Sequence, residues 1–175
     1  MKLLFLILMP IAMKAQLIID FNQSETPENW VVVDDVVMGG ESFGKFSINK
    51  EKQGVFEGKV SLENNGGFSS VRYQFPSVNT SSYSKVILKI KGDQKNYQFR
   101  IKSSTQDYFS YISIFETNGT YEKIEIPLNQ MYPAFRGKKL DQENFSEGGI
   151  EQITFLIANK NAEDFKLLIE SVTLE

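Results

Sequence analysis

From Leu17 onward, apolar and polar positions alternate with a period of two, and no stretch of useful length carries the 3.6-residue period of an amphipathic helix. In Tyr97-Gln98-Phe99-Arg100-Ile101-Lys102 the two aromatics and Ile101 share one side, while Gln98, Arg100 and Lys102 share the other. Such a strand has one face in a core and one face available to solvent or ligand. The same pattern predicts strands over 17–21, 43–48, 55–62, 68–75, 85–91, 97–102, 108–115, 121–126, 150–158 and 165–174. Short spacings rich in turn residues separate them. The chain therefore reads as all-β, a two-sheet β-sandwich of the jelly-roll kind in a single domain over 16–175.

Three loops interrupt the alternation. The first, Asp34-Asp35-Val36-Val37-Met38-Gly39-Gly40, ends in a glycine pair suited to a tight bend with positive φ. It lacks the Lys-Ser/Thr and the following helix of a phosphate cradle. Asp34 and Asp35 either cap that bend or help hold a structural Ca²⁺; no other cofactor is indicated. As strand neighbours they point to opposite faces, which makes them a poor glycosidase pair. Trp30, just before this loop, reads as a core residue or hairpin lid.

The second loop contains Asn64-Asn65-Gly66-Gly67, a strong hairpin signal. A hairpin centred there opposes Phe56 to Phe75, Val60 to Val71 and Gly58 to Tyr73 on a core face. Its other face opposes Lys59 to Arg72, Glu57 to Gln74, Ser61 to Ser70 and Glu63 to Phe68. That polar face is either a solvated exterior or a surface on which Arg72 meets an anionic or hydroxyl-rich partner, with Phe68 as an apolar platform. The third loop, 129–149, is the longest irregular stretch and carries Tyr132, Phe135 and Arg136.

Composition narrows the chemistry. The chain of 175 residues contains no His and no Cys. Imidazole-dependent triads, the common zinc sites, thiolate nucleophiles and disulfides are thereby excluded. An enzyme would need a carboxylate pair with a raised pKa, so a non-catalytic protein is the expectation. The net charge of -3 offers no basic stripe for a nucleic acid. Residues 1–15, with Lys2, an apolar stretch from Leu3 to Met13 and small Ala15, read as a signal peptide. Its removal leaves no transmembrane span and places the chain in the periplasm or outside the cell.

The motifs Asp34-Asp35-Val36-Val37-Met38-Gly39-Gly40-Glu41-Ser42 and Glu63-Asn64-Asn65-Gly66-Gly67-Phe68-Ser69-Ser70-Val71-Arg72 gain meaning together. With Trp30, Phe56-Glu57-Gly58, Tyr97-Gln98-Phe99-Arg100 and Phe135-Arg136-Gly137, they resemble the complex I intermediate-associated protein 30 family. The resemblance spans essentially the whole mature chain. It implies a galactose-binding-like jelly roll, a fold in which a structural calcium is common. Mitochondrial members act as assembly factors or chaperones for respiratory complex I, without known catalysis. Relatives of the fold include carbohydrate-binding modules. Here a secretory signal stands where those members have a mitochondrial transit peptide.

Two binding roles follow. An envelope assembly-factor-like protein predicts an aromatic patch for a protein partner near Phe68, Tyr132 and Phe135. A carbohydrate-binding module predicts a glycan site drawn from Arg72, Tyr97, Arg100, Tyr108 and Arg136.

Overall fold

The computed structural model describes residues 15–23, 26–146 and 148–175; the segment expected to be a signal peptide, apart from Ala15, lies outside the described residues. Thirteen strands occur among them. They are β1 (Gln16–Asp20), β2 (Trp30–Asp34), β3 (Phe43–Ile48), β4 (Gly54–Val60), β5 (Ser69–Asn79) and β6 (Lys85–Lys91). After these come β7 (Asn96–Lys102), β8 (Ser110–Glu116), β9 (Tyr121–Pro127), β10 (Tyr132–Phe135), β11 (Lys138–Lys139), β12 (Gly149–Ile157) and β13 (Glu163–Leu174). Pairing is antiparallel throughout, in two sheets. A six-stranded sheet runs β3-β4-β13-β6-β9 with β1 also on β13, and a seven-stranded sheet runs β11-β10-β8-β7-β12-β5-β2. This is the β-sandwich that the alternation predicts.

The core forms between the sheets because each strand turns its apolar parity inward. Phe56, Leu88, Leu167 and Ile169 come from one sheet; Val71, Tyr97, Phe99, Ile101 and Phe155 come from the other. Phe99 and Phe155 meet edge-on at 5.4 Å across the β7–β12 pair. Trp30 is buried and bridges the two sheets, stacking at 4.6 Å on Phe46 of β3 and lying 5.1 Å from Tyr73 of β5. Each such ring contributes roughly 2–3 kcal/mol through burial. Trp30 is a core residue, one of the two readings the sequence left open.

The hairpin expected around Asn65-Gly66 does not form. β4 pairs with β3 and β13, whereas β5 pairs with β2 and β12 in the opposite sheet. Lys59 therefore stands against Phe43 and Asp164, and Arg72 against Val31 and Thr154, so the expected Lys59–Arg72 pair is absent. The turn chemistry itself is present: Asn64 and Asn65 take φ of 54° and 60°, and Gly67 takes 135°. The loop uses it to cross from one sheet to the other instead of reversing within one.

Two further elements differ from the sequence pattern. The unalternating run Trp30-Val31-Val32-Val33-Asp34 is an edge strand, and the 129–149 loop contains the small β10–β11 hairpin.

Candidate functional site

The outward parity of the seven-stranded sheet carries the polar residues. Register places Val31, Arg72, Thr154, Arg100, Ile112 and Tyr132 side by side on β2, β5, β12, β7, β8 and β10, one cross-strand row over six strands. A second row sets Ser70, Leu156, Gln98 and Ile114 together, and a third sets Gln74, Gln152 and Lys102 together. On the central strand β12, outward-facing Gln152, Thr154 and Leu156 are only 4%, 5% and 6% exposed. They are short or flat residues between the longer side chains of Arg72 and Gln74 on one side and Gln98, Arg100 and Lys102 on the other. The result is a trough whose floor is β12.

Its polar groups are organised by one another. Gln74 Nε2 donates to Gln152 Oε1 at 3.1 Å, and Gln152 Nε2 donates to Thr154 Oγ1 at 3.3 Å. Arg100 donates from Nε and Nη2 to Gln98 Oε1 at 3.0 and 2.6 Å. Two of its five N–H groups are thus spent on a neutral amide, leaving the rest free to receive a ligand. Burial, reinforced by the neighbouring positive charge of Arg72, pulls the Arg100 guanidinium down to about 10. Burial likewise lowers Arg72, and burial with the Arg72 charge lowers Lys102, whose Nζ donates to the Asp107 carbonyl.

The sequence candidates separate into groups. Arg72, Arg100 and Tyr132 meet on the first row. Tyr108, Phe135 and Arg136 do not join them: Phe135 shares the opposite parity with Pro133, which pairs with inward-facing Tyr111. Tyr108 and Phe135 pack edge-on at 5.4 Å, and the Arg136 guanidinium lies 5.2 Å over the Phe135 ring at the β10–β11 turn. This aromatic cluster continues through Phe109 and Tyr111 to buried Phe145 and forms one edge of the sandwich.

Phe68 immediately precedes β5, four strand spacings from β10, or roughly 19 Å. The single aromatic patch expected at Phe68, Tyr132 and Phe135 is therefore not formed. Tyr97 is fully buried, its hydroxyl donating to Asp93 Oδ1 at 2.8 Å, and belongs to the core rather than to a glycan site.

The glycine loops form a clamp beside β2 and β5. Asp35 is fully buried and its carboxylate accepts from the Ser42 amide at 2.9 Å, the Ser42 hydroxyl, the Gly67 amide at 2.6 Å and the Phe68 amide at 3.2 Å. Burial pushes its pKa up, but these donors together outweigh burial and hold it below the usual aspartate range. Asp34 accepts from the Ser69 hydroxyl and from the Gly44 amide at 2.9 Å. Gly39 takes φ of 92°, the bend that Asp34, Asp35 and Met38 lead into. The two aspartates thus spend their oxygens on protein donors, and no group of three or more acidic side chains suited to a metal occurs among the described residues. The pair acts as a clamp on the two loops.

Gln152, Thr154 and Ile112 were not singled out by sequence, and Gln98 and Lys102 were read as lying on the outward face of their strand. The signal for two of them was the pair Gln152 and Thr154, spaced by two within an otherwise apolar run. A separate groove of about 500 Å³ on the six-stranded sheet is lined by Phe43, Lys45, Glu57, Asp93, Phe165 and Lys166, among others. Most of its charges are internally paired, with Lys45 and Lys166 both 2.9 Å from Glu57 and Lys95 on Asp93. Hydrogen bonds from Lys166 and Lys45 hold Glu57 below the usual range, the reverse of what a general acid requires.

A family model for complex I intermediate-associated protein 30 matches residues 19–169. The chain belongs to that family. No curated protein matches it in sequence. In three dimensions this family member resembles the family 11 carbohydrate-binding module of a cellulosomal cellulase of Clostridium thermocellum, at a TM-score of 0.69 and 17% identity over 93% of this chain and 95% of the module. A Clostridium thermocellum family 11 module in complex with a β-1,3-1,4-mixed-linked tetrasaccharide matches at 0.68 and 17%, over 91% and 94% of the two chains. An agarase matches at 0.59 and 14%, over 92% of this chain and 24% of the agarase. These likenesses establish a shared jelly-roll fold for the family member described here.

Proposed function

We propose that this protein is a non-catalytic binding domain that holds a polysaccharide across the outer face of its seven-stranded sheet. The observation that carries the reading is the row from Val31 through Arg72, Thr154, Arg100 and Ile112 to Tyr132. It is an extended strip of hydrogen-bonding groups edged by apolar and aromatic side chains, which suits a chain of hydroxyl-bearing rings. Its floor is held by amides and hydroxyls already fixed in place, so little side-chain entropy is lost on binding. The likeness to carbohydrate-binding modules agrees with it. With the signal peptide expected from the sequence, the protein would meet such polymers in the envelope or outside the cell.

The test is affinity electrophoresis of the purified protein in gels containing mixed-linkage β-glucan, xylan, agarose, alginate or carrageenan, followed by amide NMR shift mapping with any polymer that retards it. Perturbation concentrated on Gln98, Gln152 and Thr154 is expected. Retardation by none of the polymers would overturn the reading.

A second reading, an assembly-factor-like role on a protein partner, draws on family membership and on one local feature. Val36, Val37 and Met38 are 59%, 73% and 60% exposed on the loop that Asp35 anchors. Recovery of a specific envelope protein by the wild type and not by Val37→Ser/Met38→Ser is the outcome that would favour it.

A further inference from the structure

Five of the seven lysines on the six-stranded sheet are ion-paired; among the described residues Lys59 enters no ion pair, and Lys91 lies over the Tyr121 ring. Lys45 and Lys166 share Glu57, Lys85 and Lys123 share Glu125, and Lys89 faces Glu170. In the β6–β7 connection, Lys95 is bound to Asp93. On the outer face of the seven-stranded sheet the pattern is the reverse. Arg72 and Arg100 flank Thr154 on β12, two strand spacings apart, or roughly 10 Å between backbones. Lys102 follows Arg100 on the same face. Among the described residues neither arginine enters a salt bridge, and Lys102 reaches only a backbone carbonyl. The Asp107 carboxylate attracts Lys102 and also accepts from the Ser104 amide, and it does not pair with either arginine.

Like charges gathered on a partly desolvated surface cost free energy unless something of opposite sign completes them. Because the whole chain carries a net charge of -3, long-range attraction does not account for an anion here; a local site does. Guanidinium groups are suited to planar oxyanions, which they hold through paired N–H donors.

We propose that the polymer bound on this face is an acidic polysaccharide, and that one carboxylate or sulfate group is received between Arg72 and Arg100 with Lys102 beside them. This rests on the reading of the seven-stranded face as a polysaccharide site and narrows its ligand. Neutral hydroxyls of the neighbouring rings are met by Gln98, Gln152 and Thr154.

The experiment compares the purified protein's affinity for alginate (uronate), carrageenan (sulfate), mixed-linkage β-glucan and agarose (neutral), and poly-glutamate (a polyanion without sugar), all at 0.15 M salt. Binding to alginate or carrageenan at least about ten-fold tighter than to either neutral polymer is expected. Arg72→Gln and Arg100→Gln should each weaken it by about ten-fold or more, with Lys123→Gln on the other sheet unchanged. Arg100→Lys, which keeps the charge and most of the buried stem, serves if Arg100→Gln folds poorly, and should show a smaller loss.

Neutral polymers bound as tightly as the acidic ones, with the arginine variants unaffected, would overturn this inference while leaving the polysaccharide reading in place. Poly-glutamate bound as well as alginate would overturn the assignment to a sugar acid. If no polysaccharide of either kind binds, both fall together.

Discussion

The carboxylate of Asp35 accepts the amide hydrogen of Gly67 at 2.6 Å, joining two glycine loops 32 residues apart in sequence. Ser42 and the Phe68 amide complete the same carboxylate, so the start of β5 and the approach to β3 are held by one buried charge. The two loops that stand out in the sequence are thus one structural unit.

Asp35→Asn should therefore be costly. An amide keeps one acceptor oxygen but turns two N–H donors toward the Gly67, Phe68 or Ser42 hydrogens. A loss of about 3 kcal/mol in urea denaturation is expected.

The same residue gives a pH dependence. Its folded pKa lies below the unfolded value, so its contribution is fully present above roughly pH 4 and is lost as pH falls toward the folded pKa. The fall in melting temperature between about pH 4 and pH 2 should be shallower in Asp35→Asn than in the wild type.

Glycine replacements separate steric from conformational causes. A Cβ on Gly40 would stand 2.3 Å from Asp35 Oδ1, and one on Gly66 2.6 Å from Oδ2, so both alanine variants should displace the carboxylate and lower stability strongly. Gly39 has open space but a φ of 92°, and Gly39→Ala should cost only about 1–2 kcal/mol. Thermal unfolding of the three variants side by side checks the order; Gly39→Ala proving the most damaging would contradict it.

Arg100 should show stability and binding moving in opposite directions. Replacing it with Gln removes a partly buried cation beside Arg72 while keeping polar contact with Gln98. Stability is expected to stay level or rise by up to about 1 kcal/mol while polysaccharide affinity drops. Calorimetric melting and binding titration of one preparation measure both; a marked loss of stability would show that the cation is structurally required.

Tyr97→Phe tests a buried hydrogen bond away from the site. Burial, the Asp93 charge and the bond to Asp93 all raise the phenol's pKa, so it remains a donor throughout the ordinary pH range. Asp93 keeps two other donors, Lys95 Nζ at 2.8 Å and the Lys166 amide at 2.9 Å. The expected cost is about 1 kcal/mol, read from the urea midpoint, with no change in ligand affinity.

Which side chains face inward was legible in the chain itself. Alternation in the backbone of a strand sends neighbours to opposite faces whatever the strand is paired with, so Tyr97, Phe99 and Ile101 are buried and Arg100 and Arg72 face outward as the pattern requires. Two strand boundaries, those of β3 and β6, match the pattern residue for residue. The edge strand β2 escaped because a run of valines carries no alternation, and β10–β11 escaped because its four- and two-residue strands are too short for a period to register.

Pairing was a different matter. Asn64 and Asn65 turn the chain as their type dictates, but a turn constrains only local dihedrals, and burial of both apolar faces is better satisfied when β4 and β5 enter opposite layers. The sequence by itself determined the fold class, the inward and outward side of each alternating strand, and the absence of imidazole and thiol chemistry. Only the tertiary structure decided that Arg72 stands near Arg100 rather than Lys59, and that Tyr132 joins them while Tyr108, Phe135 and Arg136 do not. Strand order in a sandwich is settled by contacts between residues far apart in the chain, and no local pattern encodes those neighbours.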